Sequence, residues 1–334
     1  MVRYSDIIKS GVKKKEEDRT NSKLNALPLQ KDAEYMKELY SAIVDYLKEI
    51  QKLVKNNQSF DIKQAVDTVN HIINTPDLIE KFYQSIALSH TSNNQDYLIH
   101  HLAKVMIYSI KIGTGMKYSR EELLELGLAA LFYDIGFFKV PENIITKKGS
   151  LTEAELDIMK NHTKIGKNIL SRFQTEHPMM PRIAYEHHER KNGSGYPAGL
   201  KGKEICEYAK IIALSDTFDA MTQNRPYRKA LAQYFSIKEL VESRNSLFSA
   251  RIIKVFLDEM GIFPIGSYVK LNNTEIGKVV ATSKSHPLKP TVELMFDSHG
   301  NKMPGKTITN LDGHPVLYVT GSVSEEDFPG ENKD

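Results

Sequence analysis

Two adjacent histidines, His187 and His188, stand just before a glycine-rich segment that ends in Tyr196-Pro197. Neutral imidazole is the commonest protein ligand for metal ions. Because adjacent side chains point in different directions, the pair suits a site with more than one metal position, or one ligand beside a histidine that orients it. A surface loop that happens to carry two histidines is the plain alternative.

Other histidines and carboxylates could complete such a site. Asp134 lies near the end of a long apolar run, where an unpaired buried carboxylate is costly and a metal ion is its natural partner. His101 shares an apolar helix face, a position more often held by an ordinary hydrogen-bonded core histidine. His162 falls at a predicted helix boundary, and a later apolar helix carries Asp216 inward. These four residues are candidate ligands from separate stretches of the chain.

The elements that must position these residues are mostly helices, because apolar residues recur at three- and four-residue steps. One long amphipathic helix runs from Asp32 to about Leu53, a second follows over 62–73, and a third begins near Pro76. This stretch, up to about Leu88, carries no catalytic constellation. It is typical of a sensory, dimerising or partner-binding module.

Past Met260 the pattern changes from helices to short strands. Four β-rich runs, at 269–271, 278–281, 292–295 and 316–319, are separated by turn residues. The predicted fold is therefore mainly α, with an N-terminal helical module and a small C-terminal β-rich appendage. The predicted segments are a tether and helical module at 1–85, the main helical domain at 86–262, the appendage at 263–321 and an acidic tail at 322–334.

Composition limits the functions that the chain could have. Its 334 residues carry 45 basic and 42 acidic side chains, a net charge of +3 that does not favour DNA binding. The single cysteine, Cys206, excludes an intramolecular disulfide and fits a reducing compartment. No apolar run approaches the roughly 18 residues of a membrane span, and the first residues lack a signal peptide. The sequence therefore predicts a cytoplasmic protein without a membrane span.

Two motifs carry a resemblance to a known family. They are Tyr133-Asp134-Ile135-Gly136 and Glu186-His187-His188-Glu189, the second continuing into Asn192-Gly193-Ser194-Gly195-Tyr196-Pro197. With them the chain resembles the HD-GYP domains, a branch of the HD metal-dependent phosphohydrolases similar to cyclic di-GMP phosphodiesterases. The resemblance extends from about His101 to Ala230.

The resemblance implies a helical HD-type bundle in which separate stretches meet at one metal site. It implies hydrolysis of cyclic di-GMP by a metal-bound hydroxide between two ions, with Asp134 as bridging ligand and Asp134 and Asp216 as catalytic carboxylates. Ligands without cysteine suit iron, manganese, zinc or nickel, with iron or manganese favoured. The expected metal ligands are His101, Asp134, His162, His187, His188 and Asp216.

The resemblance also implies residues that contact the substrate. Arg225 and Arg228 are expected to hold substrate phosphate, since the guanidinium fork suits phosphate oxygens. Gly195, Tyr196 and Pro197 are expected to bind substrate or to dock a diguanylate cyclase, although glycine and proline are also what the turn itself requires. A homodimer through the N-terminal helices is a further expectation.

Three positions depart from the family pattern. Tyr133 replaces the histidine of the His-Asp pair, Phe137 replaces a lysine, and Tyr97 stands where some members carry glutamate. Tyr133 is a further candidate ligand as a phenolate, although an unperturbed tyrosine has a pKa of about 10. The sequence thus leaves three hypotheses: a working phosphodiesterase, a non-hydrolysing binder of cyclic di-GMP or a signalling partner, and a phosphohydrolase of another nucleotide.

Overall fold

The structure, a computed structural model, describes residues 27–329 apart from 76, 89–95, 148, 223–232, 243–246 and 284–285. Most of these residues are helical, as predicted. The α-helices are α1 (Leu27–Lys55), α2 (Lys63–Asn74), α3 (Leu78–Leu88), α4 (Tyr97–Gly115), α5 (Arg120–Phe132), α6 (Glu142–Ile145), α7 (Glu153–Lys160), α8 (His162–Leu170), α9 (Met179–Glu186), α10 (Glu207–Thr222), α11 (Gln233–Glu242) and α12 (Ala250–Met260). Among the described residues, no helix is long and apolar enough to cross a bilayer.

A small antiparallel sheet follows the helices. Its strands are β1 (Tyr268–Leu271), β2 (Ile276–Ala281), β3 (Thr291–Phe296), β4 (Lys302–Asn310) and β5 (Val319–Val323), in the spatial order β4-β3-β2-β1-β5. The predicted fold class, mainly α with a small C-terminal β-rich part, is confirmed.

The chain divides into two compact units. The first comprises Met1–Ile86, Gln95–Ile110 and Tyr118–His188, and the second comprises Ala87–Asn94, Lys111–Lys117 and Glu189–Asp334. The predicted domain bounds, which place residues 86–262 together, stay a prediction.

In the first unit, close backbone packing brings together the segments that carry the candidate ligands. Helix α8 packs against α9 and against a 3-10 helix at Ile135–Lys139, and α9 also packs against α5. A Cβ atom at Gly136 would overlap the carbonyl oxygen of His162 and crowd the backbone of Gly166. Only glycine therefore allows the segment after Asp134 to approach the start of α8 this closely.

The helix starts in the first unit agree with their sequence signals. Thr152 accepts a hydrogen bond from the backbone N–H of Glu155, whose carboxylate accepts one from the backbone N–H of Thr152, so the two residues form a capping box. Ser119 and Glu122 form a second capping box at the start of α5. These caps stabilise the helices on either side of the ligand-bearing segments.

The second unit contains helices α10 to α12 and the sheet. Alternate residues of β1 and β3, together with Val279 of β2, form a common core that Phe263 and Leu311 help to close. Tyr234 of α11 stacks on Phe263 with ring centroids 5.4 Å apart. The sheet is thus tied by side-chain packing to a helix of the same unit.

The prediction of the last strand was wrong, and one strand was missed. Residues 316–318 are irregular, and β5 begins only at Val319. Strand β4 is nearly all exposed and at the sheet edge, so no buried face marks it in the sequence. The predicted tail boundary at residue 322 falls inside β5, and Phe328 beyond it packs against Tyr268 at 4.8 Å.

Candidate metal centre

The imidazole rings of His162 and His187 face each other in the interior of the first unit. Their Nε2 atoms are 3.2 Å apart, and both residues are at most 2% exposed. Nδ1 of His162 lies 2.7 Å from the carbonyl oxygen of Met159. Nδ1 of His187 lies 3.1 Å from the carbonyl oxygen of Ala184. Since a carbonyl oxygen only accepts, each Nδ1 carries a proton, and the neutral tautomer with this proton has its Nε2 lone pair facing the other ring.

Asp134 and His188 lie beside this pair. An Oδ1 atom of Asp134 is 3.3 Å from Nε2 of His162, and the carboxylate is largely buried. One ligand atom each of His162, His187 and His188 can be chosen so that all lie within 4.8 Å of one another. The His188 ring is half-buried and its centroid is 4.2 Å from that of His187.

These donors fit a metal ion. Two imidazole lone pairs and a carboxylate oxygen repel one another at these distances unless a cation lies among them. The backbone carbonyls that hold each Nδ1–H select the tautomer that leaves Nε2 free to coordinate, which is the usual arrangement of ligating histidines. Nitrogen and carboxylate donors without sulfur suit a transition metal of hard or borderline character.

His101 is engaged by Tyr133. The Tyr133 hydroxyl lies 2.9 Å from Nε2 of His101, and both side chains are buried. The Tyr97 ring stacks on His101 with centroids 5.5 Å apart, while Tyr133 meets the His187 ring edge-on at 4.8 Å. Tyr97 and Tyr133, two of the three residues that depart from the family pattern, therefore both contact His101. Tyr133 also contacts the ring of His187. The roles of His101 and Tyr133 as ligands stay predictions.

Phe137 occupies the position where the resemblance places a lysine. Its ring meets His162 edge-on, with centroids 5.7 Å apart. An apolar ring therefore covers one side of a candidate ligand, where the family would place a positive charge. The phenyl ring can shield His162 from water, but it cannot donate a hydrogen bond to a phosphate.

In the second unit, Glu189 organises the segment that contains Tyr196-Pro197. Its carboxylate, on a residue only 3% exposed, accepts hydrogen bonds from the backbone N–H groups of Ala198, Gly199 and Leu200 at 2.7, 3.1 and 2.9 Å. Hydrogen bonds to a buried carboxylate are stronger than neutral ones. In the sequence, Glu189 is recognisable only as part of the motif that begins at Glu186. A glutamate placed before a turn rich in glycine, whose backbone N–H groups need acceptors, is the signal that could have identified this role.

Arg190 and Asp216 are neighbours within the second unit. Burial lowers the pKa of the Arg190 guanidinium, and the negative charge of Asp216 is the strongest opposing influence. Tyr196 and Glu189 also raise the pKa of Arg190, as Asp216 does. The backbone carbonyl oxygen of Glu189 accepts a hydrogen bond from the Arg190 guanidinium at 3.1 Å. Asp216 is half-buried on α10. Its proposed place among the metal ligands stays a prediction, and Arg190 is a charged neighbour that no sequence motif indicated.

The predicted substrate residues have different outcomes. Gly195, Tyr196 and Pro197 are half-buried in the irregular segment held by Glu189, as expected for a loop. Arg225 and Arg228 lie outside the described residues. The roles of all five in binding substrate stay predictions.

A helical unit with paired histidines and a buried aspartate is the arrangement typical of HD phosphohydrolases, and comparison with known proteins agrees. A family model described as HD domain matches residues 86–252, and one described as KOW domain associated with HD domain matches residues 268–330. The chain belongs to the HD domain family, and within it the chain is HD-GYP-like.

Individual relatives give the same assignment. A Pseudomonas aeruginosa protein named as a cyclic di-GMP phosphodiesterase is 28% identical over 249 residues, covering 72% of this chain and 59% of that protein. A Thermotoga maritima protein of the same name is 39% identical over 160 residues, covering 47% of this chain and 43% of that one. The chain therefore spans about half the length of the curated relatives it matches. The solved structure of Bd1817, an HDG"Y"P protein from Bdellovibrio bacteriovorus, has a similar fold, with a TM-score of 0.56 at 15% identity over 75% of this chain and 76% of that one.

Proposed function

We propose that the chain is a metal-dependent phosphodiesterase that hydrolyses cyclic di-GMP. The observation that carries this proposal is the facing pair of Nε2 lone pairs on His162 and His187, with the Asp134 carboxylate beside them. The substrate is proposed because the relatives are named as cyclic di-GMP phosphodiesterases. The metal ion is proposed because nitrogen and carboxylate donors lie close together. Iron or manganese is the proposed metal, with zinc or nickel as alternatives.

Each donor has a proposed role in this reaction. His162, His187 and His188 would hold metal ions through ring nitrogens, and Asp134 would contribute carboxylate oxygens beside them. His101 and Asp216 complete the set on the strength of the sequence alone. When bound, divalent ions supply Lewis acidity and an activated water for attack on phosphorus. The chain itself contributes fixed imidazole tautomers and buried surroundings that limit competing water.

The substrate contacts are proposed from the motif and the loop. Tyr196 can stack on a guanine or donate its hydroxyl to a phosphate, while Glu189 keeps the loop backbone in place. Arg225 and Arg228 are proposed to bind substrate phosphate. Docking of a diguanylate cyclase on residues 193–197, and a homodimer through the N-terminal helices, are proposed from the sequence alone.

A second candidate function is binding of cyclic di-GMP without hydrolysis. The contact between Tyr133 and His101 favours it, because a phenol that holds Nε2 of His101 competes with a metal for the same lone pair. The Phe137 ring over His162 favours it as well, since no ammonium group stands there to offset charge on a phosphate. In this alternative the site binds fewer metal ions than the proposed phosphodiesterase does, and cyclic di-GMP dissociates without being hydrolysed.

Metal content and turnover decide between the two functions. The protein is purified without oxygen, its metals per chain are counted, and it is incubated with cyclic di-GMP while the products are separated by chromatography. Two metals with a linear dinucleotide or mononucleotide product support the phosphodiesterase. Tight binding without product supports the non-hydrolysing alternative, and turnover of another nucleotide alone would overturn the proposed substrate.

His187→Gln supplies the control. It removes a candidate ligand and should abolish both metal retention and turnover. Turnover that survives in this variant with its metal content unchanged would contradict the proposed site.

A further inference from the structure

A cavity of about 450 Å³ lies between the second half of α1 and the segment that leads into α2. All of its described lining residues belong to the first unit. The apolar and aromatic part of the lining includes Tyr46 and Ile50, which are buried, and Phe60, which is half-buried. The polar part includes the exposed carboxylates of Glu49 and Asp61. A cavity of this volume can hold a small organic molecule.

The charges around the cavity favour a cation. Among the described residues that line it, two are acidic and none is basic. Both carboxylates act on the Tyr46 hydroxyl: burial raises the pKa of this phenol, and the charges of Asp61 and Glu49 raise it further. The hydroxyl itself donates a hydrogen bond to the backbone carbonyl oxygen of Asp61 at 3.1 Å. Two negative charges therefore lie near one point of the lining.

The cation that fits this lining is organic rather than a metal ion. Among the residues that the structure describes, the one group of three or more possible metal ligands that lie close together is formed by the histidines of the candidate centre. Glu49 and Asp61 are thus not joined by a third ligand of that kind. An ammonium group can pair with one or two carboxylates, and the Gln64 amide offers a further acceptor. Carbon atoms attached to the ammonium group can pack on Ile50 and Phe60.

The aromatic part of the lining is held by the core of the first unit. The rings of Tyr46 and Phe60 both contact Phe132, with centroids 6.4 and 6.2 Å apart. The Arg172 guanidinium lies over the Phe60 ring, 4.1 Å from its centroid. Phe132 is 1% exposed and directly precedes Tyr133. The lining is therefore fixed before a ligand arrives, and the side chain of Phe132 connects it to the residue next to the candidate metal centre.

We propose that this cavity binds a small organic cation, an ammonium group attached to an apolar body. The ammonium group pairs with Glu49 and Asp61, and the apolar body packs on Ile50 and Phe60. This inference is independent of the proposed phosphodiesterase activity, because none of the described lining residues belongs to the candidate metal centre. A ligand site favours the sensory role among the three roles that the sequence of the N-terminal helices allows.

The first test compares three probes of similar size that differ in charge: phenethylamine, 2-phenylethanol and phenylacetate. Nuclear magnetic resonance titration of the full chain at neutral pH, without added metal, measures the affinity of each. We expect phenethylamine to bind about tenfold more tightly than the neutral alcohol, and phenylacetate to bind more weakly than either. If phenethylamine does not bind, or binds no better than the alcohol, the inference is overturned.

Variants that remove charge but keep shape locate the bound amine. Glu49→Gln combined with Asp61→Asn should weaken phenethylamine binding about 5- to 10-fold. Asparagine at position 61 can still accept the hydrogen bond that the Lys63 backbone donates to Asp61, so α2 keeps its start. The matched control is Asp45→Asn combined with Asp67→Asn, which removes two exposed charges from α1 and α2 outside the lining. The control should bind as wild type does. Equal affinities in the two double variants overturn the inference.

The candidate metal centre is the other place where an amine could bind. His187→Gln removes a candidate ligand there, and it should bind phenethylamine as wild type does. Binding that is lost in His187→Gln and kept in the double variant of Glu49 and Asp61 would place the amine at the metal centre and overturn the inference. Turnover of cyclic di-GMP is measured separately, so either proposal can fail while the other stands.

Discussion

The hydroxyl of Tyr133 lies 2.9 Å from Nε2 of His101. The aspartate that follows Tyr133 lies beside His162, so one dipeptide links two groups of candidate ligands. In the family pattern an imidazole would stand where this phenol stands. A substitution at position 133 can therefore alter metal binding at His101 while Asp134 and His162 stay in place.

Tyr133→His should raise the number of metal ions retained per chain. The new imidazole supplies a neutral nitrogen donor and removes the phenol that holds Nε2 of His101. Elemental analysis of protein purified without oxygen is the measurement. Tyr133→Phe serves as the matched control, since it removes only the hydroxyl. Equal metal content in wild type and Tyr133→His would show that this position is not part of the metal site.

His187→Gln should abolish the stabilisation that added metal gives to the protein. A site occupied at a hundred times its dissociation constant stabilises the folded state by about 2.7 kcal/mol, and loss of this ligand should remove most of that. Melting curves with and without manganese measure the effect. His177→Gln is the control, because Nδ1 of His177 pairs with Glu125 at 2.5 Å. That variant should be less stable overall yet respond to manganese as wild type does.

Phe137→Lys should increase turnover of cyclic di-GMP. A single well-placed electrostatic donor can change a rate by about 10²–10³, and the ring it replaces contacts His162. The rate under saturating substrate is the quantity to compare, with metal content measured alongside. Phe137→Leu keeps the position apolar and should leave the rate near that of wild type. A lysine variant no faster than the leucine variant would rule out a missing charge at this position.

Glu189→Gln should loosen the loop that contains Tyr196. The carboxylate accepts three backbone N–H groups, and losing the charge should cost about 2–3 kcal/mol of local stability. Hydrogen exchange at Ala198 and Leu200 reports this loss directly.

Glu204→Gln is the comparison for the Glu189 prediction. Glu204 is exposed and accepts one backbone hydrogen bond, from Lys201 at 2.7 Å. Its replacement should change exchange only near residue 201. Unchanged protection of the loop in Glu189→Gln would show that the carboxylate does not hold it.

Acid should destabilise the start of α7 through Glu155. The Lys147 ammonium group, together with the Thr152 backbone, lowers the pKa of Glu155 to about 2 from an ordinary value of 4.5. A carboxylate with a depressed folded-state pKa stabilises the protein above its unfolded pKa, and this contribution is lost as pH falls from about 4.5 to about 2. Glu155→Gln should therefore flatten the pH dependence of the melting temperature in that interval. Parallel curves for variant and wild type would contradict the assignment.

The sequence predicted helices better than strands, for a physical reason. Helices α1 and α2 bury residues at three- and four-residue steps, so their apolar residues recur with a detectable period. Strand β4 exposes nearly all of its residues at the sheet edge, so no alternation of apolar and polar residues marks it in the sequence. The strand predicted at 316–319 failed because β-branched and aromatic residues also occur in exposed irregular segments, as Val316 and Tyr318 show.

The candidate centre was predictable in part. The types and motif context of His162, His187, His188 and Asp134 predicted them as candidate ligands, and the structure places these four side chains near one another. The contact between Tyr133 and His101 was not predictable, because it depends on how two helices pack.

The tight approach at Gly136 has a consequence for the way this centre can diverge. Because the main chain itself, rather than interlocking side chains, sets the spacing between the segment of Asp134 and the start of α8, neighbouring positions can change identity without shifting the frame. Histidine could thus give way to tyrosine at position 133, and lysine to phenylalanine at position 137, one substitution at a time. Gly136 has no side chain that could bind a metal ion, yet it sets the spacing of the backbone segments whose side chains can. The side chains near it can therefore vary while this spacing is kept.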